Sequence, residues 1–246
     1  MRDRHPEIDM EYLFADTHKE LPETYDFLIR LEAYLGKPIT RLAGEHGDRG
    51  FDHYLKLYGN FLPSPQMRWC TRKLKIEPFE EYVGDDPVNL YIAIRADEHR
   101  DGFISTKSTI TPIYPFREDG IEKPDVLQIL EESGVGMPAY YEWRSRSGCY
   151  FCFFQRKSEW VGLLERHPDL YELAQAYEKP DVGYTWQQHE GLEDIRQPAR
   201  IAQIREREET RKAQAAARKR PKTLIEAFGL QEIDPEDETG CLICHL

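Results

Sequence analysis

The sequence predicts an α/β fold: a parallel twisted sheet with helices on both faces, followed by a helical C-terminal extension. Three observations carry that expectation. Short apolar runs at 10–15, 39–42 and 88–94 have strand length and few polar interruptions, the pattern of strands buried on both faces. Segments with apolar residues at helical spacing lie between and after them, several opened by a proline. From residue 157 onward the pattern is helical alone. Alternation of strand and helix calls for parallel pairing, because parallel neighbours need a crossover connection that a helix supplies.

The elements follow in order. Met10-Glu11-Tyr12-Leu13-Phe14-Ala15 reads as a buried strand ending at Asp16-Thr17. Pro22 then opens a helix at a position where its missing N–H costs nothing. Phe27, Leu28, Leu31, Tyr34 and Leu35 share one face of that helix, and Gly36 suits its C-terminal cap. With a second strand at 39–42 this makes a β-α-β unit. Segments 51–58 and 67–82 read as helical, 88–94 as a nearly continuous apolar strand, and 124–133 as a helix with proline at its start. Helices are expected at 157–166 and 168–178, a polar break at 183–191, and a short amphipathic piece at 224–228. The organisation expected is therefore an α/β domain over 1–190, a basic helical extension over 191–230, and an acidic linker with a cysteine-containing tail over 231–246.

Composition bounds the function classes. With 246 residues, 40% hydrophobic and 12% aromatic, the chain has material for a sizeable core. No run of about 18 apolar residues is present for a membrane span, and residues 1–6 lack the apolar stretch of a signal peptide. The expectation is a cytoplasmic protein with no membrane partner. In that reducing compartment five cysteines, an odd number clustered in short motifs, point to ligand or redox roles rather than disulfides. A net charge of -12 argues against indiscriminate nucleic-acid binding. The stretch from Arg196 to Lys222 is locally basic, and reads either as a solvated helix or as a contact surface for a phosphate-bearing partner such as tRNA or DNA.

The cysteines carry the sharpest chemistry. Cys149 and Cys152 form a Cys-x-x-Cys in Arg146-Ser147-Gly148-Cys149-Tyr150-Phe151-Cys152, and Cys70 lies in Arg68-Trp69-Cys70-Thr71-Arg72-Lys73. A turn between two thiolates brings both sulfurs to one point, where they can hold a metal or two corners of an iron-sulfur cluster, with a distant third ligand closing the site. Pairing Cys149 and Cys152 with Cys241 and Cys244 as a four-thiolate structural zinc site is the alternative. Ligands of open α/β sheets bind beyond the carboxyl ends of the strands, which puts Asp16-Thr17 and Arg95-Ala96-Asp97-Glu98 at one candidate edge. Arginine there suits phosphate or sulfate through its planar fork of donors.

These residues carry a resemblance. Phe14-Ala15-Asp16-Thr17-His18-Lys19-Glu20-Leu21-Pro22-Glu23-Thr24-Tyr25 resembles the "DTG-x-E-x-P-E-T-Y" segment of the phosphoadenylyl-sulfate (PAPS) reductase family, within the adenine-nucleotide α-hydrolase (PP-loop) superfamily, with His18 in place of the usual glycine. Cys70 through Lys75 followed by Pro78 resembles the family's cysteine, basic, proline element, and Ala93-Ile94-Arg95 its Gly-Ile-Arg segment. Pro112, Asp125-Val126, Pro138-Ala139-Tyr140 and the cysteine pair follow in the family's order, so the resemblance runs over roughly residues 10–165. It implies the adenine-nucleotide α-hydrolase fold, an adenine nucleotide (ATP or a sulfonucleotide) as ligand, and a four-iron, four-sulfur (4Fe-4S) cluster on Cys70, Cys149 and Cys152. Trp69 stands where the family often has a further cysteine, so three protein thiolates would leave one iron open, as in PP-loop sulfurtransferases.

On that resemblance Asp16 and Thr17 line the nucleotide site, Lys73 and Arg95 hold phosphate or sulfate, and Cys244, followed by His245, is the thiol for sulfur transfer. The function implied is sulfonucleotide reduction or ATP-dependent sulfur transfer. One feature of the superfamily, the Ser-Gly-Gly-x-Asp-Ser phosphate loop, occurs nowhere in the chain. Either the chain begins late relative to its relatives or it is not a complete enzyme. The second case describes a catalytically silent binding or assembly subunit, with a protein partner, of a nucleic-acid modification or defence complex.

Overall fold

The structure, a computed structural model, describes residues 1–2, 4–42, 50–99, 102, 107–145, 148–187 and 189–217. The expectations placed on 224–228 and 231–246, including Cys241 and Cys244, fall outside these residues. Contacts divide the described residues into two compact units, with Met1–Phe61 and Met67–Cys149 in the first and Leu62–Gln66 in the second together with residues 150–217.

The first unit is mixed α/β. Strand β1 (Tyr12–Ala15) leads through helix α1 (Pro22–Leu35) to β2 (Ile39–Leu42), and β1 and β2 pair in parallel with Tyr12 opposite Ile39 and Ala15 opposite Leu42. Pro22 sits in the first turn of α1, and Gly36 ends it at φ 65°, the left-handed conformation that glycine adopts without steric cost. Helix α2 (Phe51–Leu57) is followed by a continuous helical stretch made of α3 (Trp69–Thr71), a π turn (Arg72–Ile76) and α4 (Glu77–Val83). Pro78 explains the π turn: its ring and missing N–H forbid the regular i to i−4 bond, and a locally widened helix relieves the conflict. Strand β3 (Val88–Tyr91) pairs in parallel with β4 (Ile110–Ile113), and α5 (Pro115–Glu118), α6 (Lys123–Glu132) and a 3₁₀ turn (Ala139–Glu142) complete the unit.

Strand β4 has no counterpart in the sequence reading, and a proline at its third residue is unusual inside a sheet. Its geometry removes the objection. Val88 N–H donates to Thr109 O at 2.9 Å and Ile92 N–H to Ile113 O at 2.9 Å, so the odd-numbered residues of β4 face β3 and Pro112 turns its missing donor to the outer edge. The strand expected over 88–94 is shorter, closing at Tyr91 with one more ladder bond from Ile92. Among the described residues the strands form two separate two-stranded parallel sheets. Val83 and Ile110 centre a small core, with Ile76, Phe79, Val88, Leu90 and Ile92 packed against it.

The second unit is helical: α7 (Lys157–Arg166), α8 (Pro168–Gln175), a 3₁₀ turn (Pro180–Val182), α9 (Leu192–Ile195) and α10 (Pro198–Ala217). Trp160, Leu163, Tyr171, Ala174, Leu192 and Ile195 are all 0% exposed. Two polar tips inside this core find partners, while Trp160 Nε1 has none: Tyr171 donates its hydroxyl to Leu192 O at 2.6 Å, and Trp186 donates Nε1–H to Ala174 O at 2.8 Å. Phe151 stacks on Trp186 at 5.3 Å. Glu178 accepts from Trp186 N at 2.9 Å and Leu192 N at 2.7 Å, tying the 3₁₀ region to the start of α9; burial holds its carboxyl above the usual range against those two bonds. Trp160 and Tyr171 are core aromatics, whereas Trp143 and Tyr177 are half-buried.

Candidate functional site at the carboxyl end of β1

At the end of β1 the chain leaves the sheet through Asp16 and Thr17, which are 6% and 3% exposed. Asp16 N–H still donates to Leu42 O at 3.1 Å, so the departure begins only after that ladder bond. Asp16 Oδ1 accepts from His18 N–H at 2.8 Å and from the Tyr25 hydroxyl at 3.0 Å. Burial, reinforced by the Asp16 carboxylate, pushes the Tyr25 hydroxyl well above its ordinary pKa, so Tyr25 stays a donor. His18 adopts φ 56° in this turn, a left-handed conformation unusual for a residue with a side chain.

The turn returns as an antiparallel bridge between Glu20 and Cys149, with Leu21 N–H donating to Gly148 O at 2.7 Å. That bridge sets Cys149 over the strand end. The Thr17 hydroxyl donates to Glu20 Oε1 at 2.8 Å, the Cys149 thiol donates to the same oxygen at 3.0 Å, and Thr17 Oγ1 lies 3.3 Å from Cys149 Sγ. A hydroxyl, a carboxylate and a buried thiol thus meet in one triangle. Gly148 permits the approach: a Cβ there would meet Thr24 Oγ1 at 2.1 Å and Glu20 Oε2 at 2.8 Å.

Two polar side chains of the same region are left with unused capacity. Arg144, 3% exposed, donates Nη2–H to the Cys149 carbonyl, while its Nε and Nη1 are buried without a hydrogen-bond partner. Thr24, 8% exposed, has a buried Oγ1 with no partner. Each such group costs about 1–3 kcal/mol in lost solvation. Buried polar atoms without partners are rare in proteins, and each marks strain, a catalytic role or a bound water, ion or ligand.

The sequence-predicted site residues divide accordingly. Asp16, Thr17 and Cys149 come together. Lys73 does not join them: its ammonium spans both oxygens of Glu77 at 2.7 and 2.8 Å, and the bond from Glu77 raises its pKa. Arg95 holds Asp97 through Nε at 2.9 Å and Glu98 through Nη1 at 3.0 Å, and Asp97 is lowered chiefly by that hydrogen bond. An anion at either cation would have to displace an internal carboxylate. Cys70 is half-buried on α3, Cys152 is half-buried in the second unit, and Cys244 lies outside the described residues. Trp69 is a core residue, stacked on Tyr58 at 5.5 Å and donating Nε1–H to Phe61 O at 3.1 Å.

Among the described residues no three His, Cys, Asp or Glu side chains gather as a metal site. The Cys149 sulfur, moreover, directs its hydrogen at a carboxylate, whereas a cluster or zinc ligand must be a thiolate facing the metal. The described residues therefore do not fit a preformed cluster or zinc site. The basic stretch has a similar outcome over its described part. Arg200 grips Glu190 at 2.8 and 2.9 Å, Arg211 grips Glu208 at 2.7 Å, Lys212 pairs with Glu209 at 3.1 Å, and Arg205 pairs with Glu165. No helix among the described residues is long and apolar enough to cross a membrane.

Glu20, Thr24, Arg144 and Gly148 escaped the sequence reading as site residues. Glu20 and Thr24 stand inside the very segment that carries the family resemblance, so that signal was present. Arg144 had none, since one arginine in a basic turn says nothing of burial.

Two proteins of Methanocaldococcus jannaschii, the uncharacterized proteins MJ0066 and MJ0973, are similar to this chain. Each is 26% identical, over 196 and 174 residues, covering 72% and 66% of this chain respectively. The chain spans only 39% and 40% of their lengths. No family model matches the chain, and no solved structure does.

Proposed function

We propose that the chain is a PAPS reductase-like protein of the PP-loop superfamily acting in nucleotide-dependent sulfur chemistry, and that Cys149 and Glu20 are its reactive pair. The observation that carries the reading is the triangle of Thr17, Glu20 and Cys149 beyond the carboxyl end of a parallel strand, where α/β sheets bind ligands. The left-handed φ of His18, at the position where the resembled motif has glycine, supports the same reading.

Glu20 takes the thiol proton, and Thr17 holds the carboxylate in place. The Cys149 thiolate attacks the sulfur of a sulfonucleotide, the sulfur–oxygen bond to the phosphate breaks, and the nucleotide leaves with that oxygen while sulfonate stays on Cys149. An external dithiol then releases it as sulfite. Arg144, with two unused donors beside Cys149, supplies the charge that an incoming sulfate or phosphate group needs. No step passes through a metal.

The test is turnover of sulfonucleotides, and of ATP with a sulfur donor, in protein purified without oxygen. Cys149→Ser should abolish activity, and Glu20→Gln should lower it about 10²-fold, the loss typical of a missing proton acceptor. Full activity in Cys149→Ser sinks the proposal. About four irons per chain with matching sulfide, lost in Cys149→Ser, would make Cys149 a cluster ligand instead. No turnover by the wild type with any of these substrates would leave the silent binding or assembly subunit.

A further inference from the structure

The residues around Cys149 also suit a reaction in which no nucleotide takes part. The thiol hydrogen is directed at Glu20 Oε1 at 3.0 Å, and Thr17 donates its hydroxyl to the same oxygen at 2.8 Å, so a proton acceptor is already held on the sulfur. The other carboxylate oxygen, Oε2, and the Thr24 hydroxyl crowd one point beside Gly148: a Cβ there would lie 2.8 Å from the first and 2.1 Å from the second. That hydroxyl is buried and makes no hydrogen bond. Arg144, buried as well, holds the Cys149 carbonyl through Nη2 while its Nε and Nη1 find no partner. Every one of these residues belongs to the first unit.

The arrangement joins a base for the thiol proton to one neutral and one cationic donor that have nothing to hold. Oxidation of a thiol by a peroxide needs both. Sulfur must lose its proton as it attacks, because the thiolate is the nucleophile, and the departing oxygen must gain one, because hydroxide leaves poorly. Donors fixed in advance near that oxygen cost no reorganisation when its charge develops. Access sets the size of the oxidant: Cys149 is 9% exposed, which suits a molecule little larger than water and disfavours a bulky alkyl peroxide.

We propose that Cys149 reduces hydrogen peroxide, as an activity separate from any sulfonucleotide chemistry of the same thiol. Cys149 Sγ attacks the near oxygen of the peroxide, and the sulfur–oxygen bond forms as the oxygen–oxygen bond breaks. Glu20 takes the thiol proton and passes it to the far oxygen, which leaves as water, while the Thr24 hydroxyl and the Arg144 guanidinium donate to that oxygen as its charge develops. Sulfur is oxidised by two electrons and the peroxide is reduced by the same two. Cys149 is left as a sulfenic acid and Glu20 as a carboxylate again. An external dithiol then displaces the sulfenic oxygen as water, forms a mixed disulfide, and with its second thiol releases Cys149 reduced.

The test is the rate at which hydrogen peroxide converts Cys149 to its sulfenic acid at about pH 7, in the full chain purified without oxygen. The product is trapped with dimedone and read by mass spectrometry of the peptide that carries Cys149. The same chain unfolded in urea is the reference, since an ordinary thiol, with a pKa of about 8.5, is mostly protonated at that pH. The folded protein should react at least about tenfold faster than the unfolded one. Thr24→Val, which keeps the shape of the side chain, should slow the folded protein about fivefold, and Glu20→Gln should bring it down to the unfolded rate. A folded rate at or below the unfolded one means that the carboxylate shields the thiol, and it overturns the proposal. An unchanged rate in a folded Glu20→Gln protein does the same. The comparison of folded with unfolded wild type needs no variant, and it contains no nucleotide, so its outcome is independent of the sulfonucleotide assay.

Discussion

In the second unit Trp160, Tyr171, Leu163, Leu192 and Ile195 lose all contact with water, whereas in the first all four residues of β1 remain half-exposed. Buried polar groups divide less cleanly, since the second unit too leaves Gln155 Oε1 and Trp160 Nε1 without partners. Glu178, Tyr171 and Trp186 direct their buried hydrogen-bonding atoms at named backbone partners. Arg144 and Thr24, in the first unit, leave buried atoms unused around a thiol. What sets the first unit apart is that its unused atoms, including two guanidinium nitrogens, gather around one thiol at a strand end, the arrangement of a region shaped for something it binds.

Substitutions can break or sharpen that contrast. The largest stability effect is expected from Trp160→Ala, about 3–5 kcal/mol by denaturant unfolding, since the emptied core of the helical unit cannot collapse around the missing ring. Gly148→Ala comes next, at about 1–3 kcal/mol, because the new methyl lands on Thr24 and Glu20. It should also slow modification of the Cys149 thiol, and a Gly148→Ala protein of unchanged stability and reactivity would show that the close packing at the strand end is not needed.

A pH effect of smaller size belongs to the second unit. Burial opposes ionisation of Glu190, but hydrogen bonds from Arg200 and Lys157 outweigh it and hold the carboxyl below its ordinary value of 4.5. A lowered folded pKa means stability present above the unfolded value and lost as pH falls through the folded one. Unfolding curves taken from pH 6 downward, below about 4.5, should therefore weaken less steeply for Glu190→Gln than for the wild type, and identical slopes would contradict the ion-pair account. The smallest effect is expected from Thr24→Val: removing an unpartnered hydroxyl at constant shape should change stability by less than about 1 kcal/mol, in either direction. If Thr24 serves a ligand, its binding should weaken in that same variant.

Much of the local structure was legible from residue order. The limits of α1 followed from Pro22 and Gly36, and β1 and β2 followed from short apolar runs, because proline geometry, glycine's left-handed freedom and hydrophobic period act within a few residues. Strand β4 did not, since what excuses Pro112 is the direction its backbone faces in a ladder formed with a segment some 20 residues away. The site was half legible. Asp16 and Thr17 were placed by strand polarity and Cys149 by its motif, yet they were assigned to different ligands, a nucleotide and a metal, and only the Glu20–Cys149 bridge brought Thr17 and Cys149 within 3.3 Å.

Lys73 and Arg95 illustrate the opposite case. Their charge and position were plain in the sequence, but whether such a cation is available to an anion depends on the side chains around it, and Glu77, Asp97 and Glu98 take them up. The sequence by itself determined the α/β alternation, the parallel sense of the strands, the helices that follow residue 157 and which residue types could do chemistry. Tertiary structure alone decided that the thiol points at a carboxylate, that Arg144 is buried with donors to spare, and that β1 and β3 line one cavity. The physical reason is range: propensity and period act over one or two turns of chain, while burial and hydrogen-bond pairing join residues more than a hundred positions apart, as Thr17 and Cys149 are here.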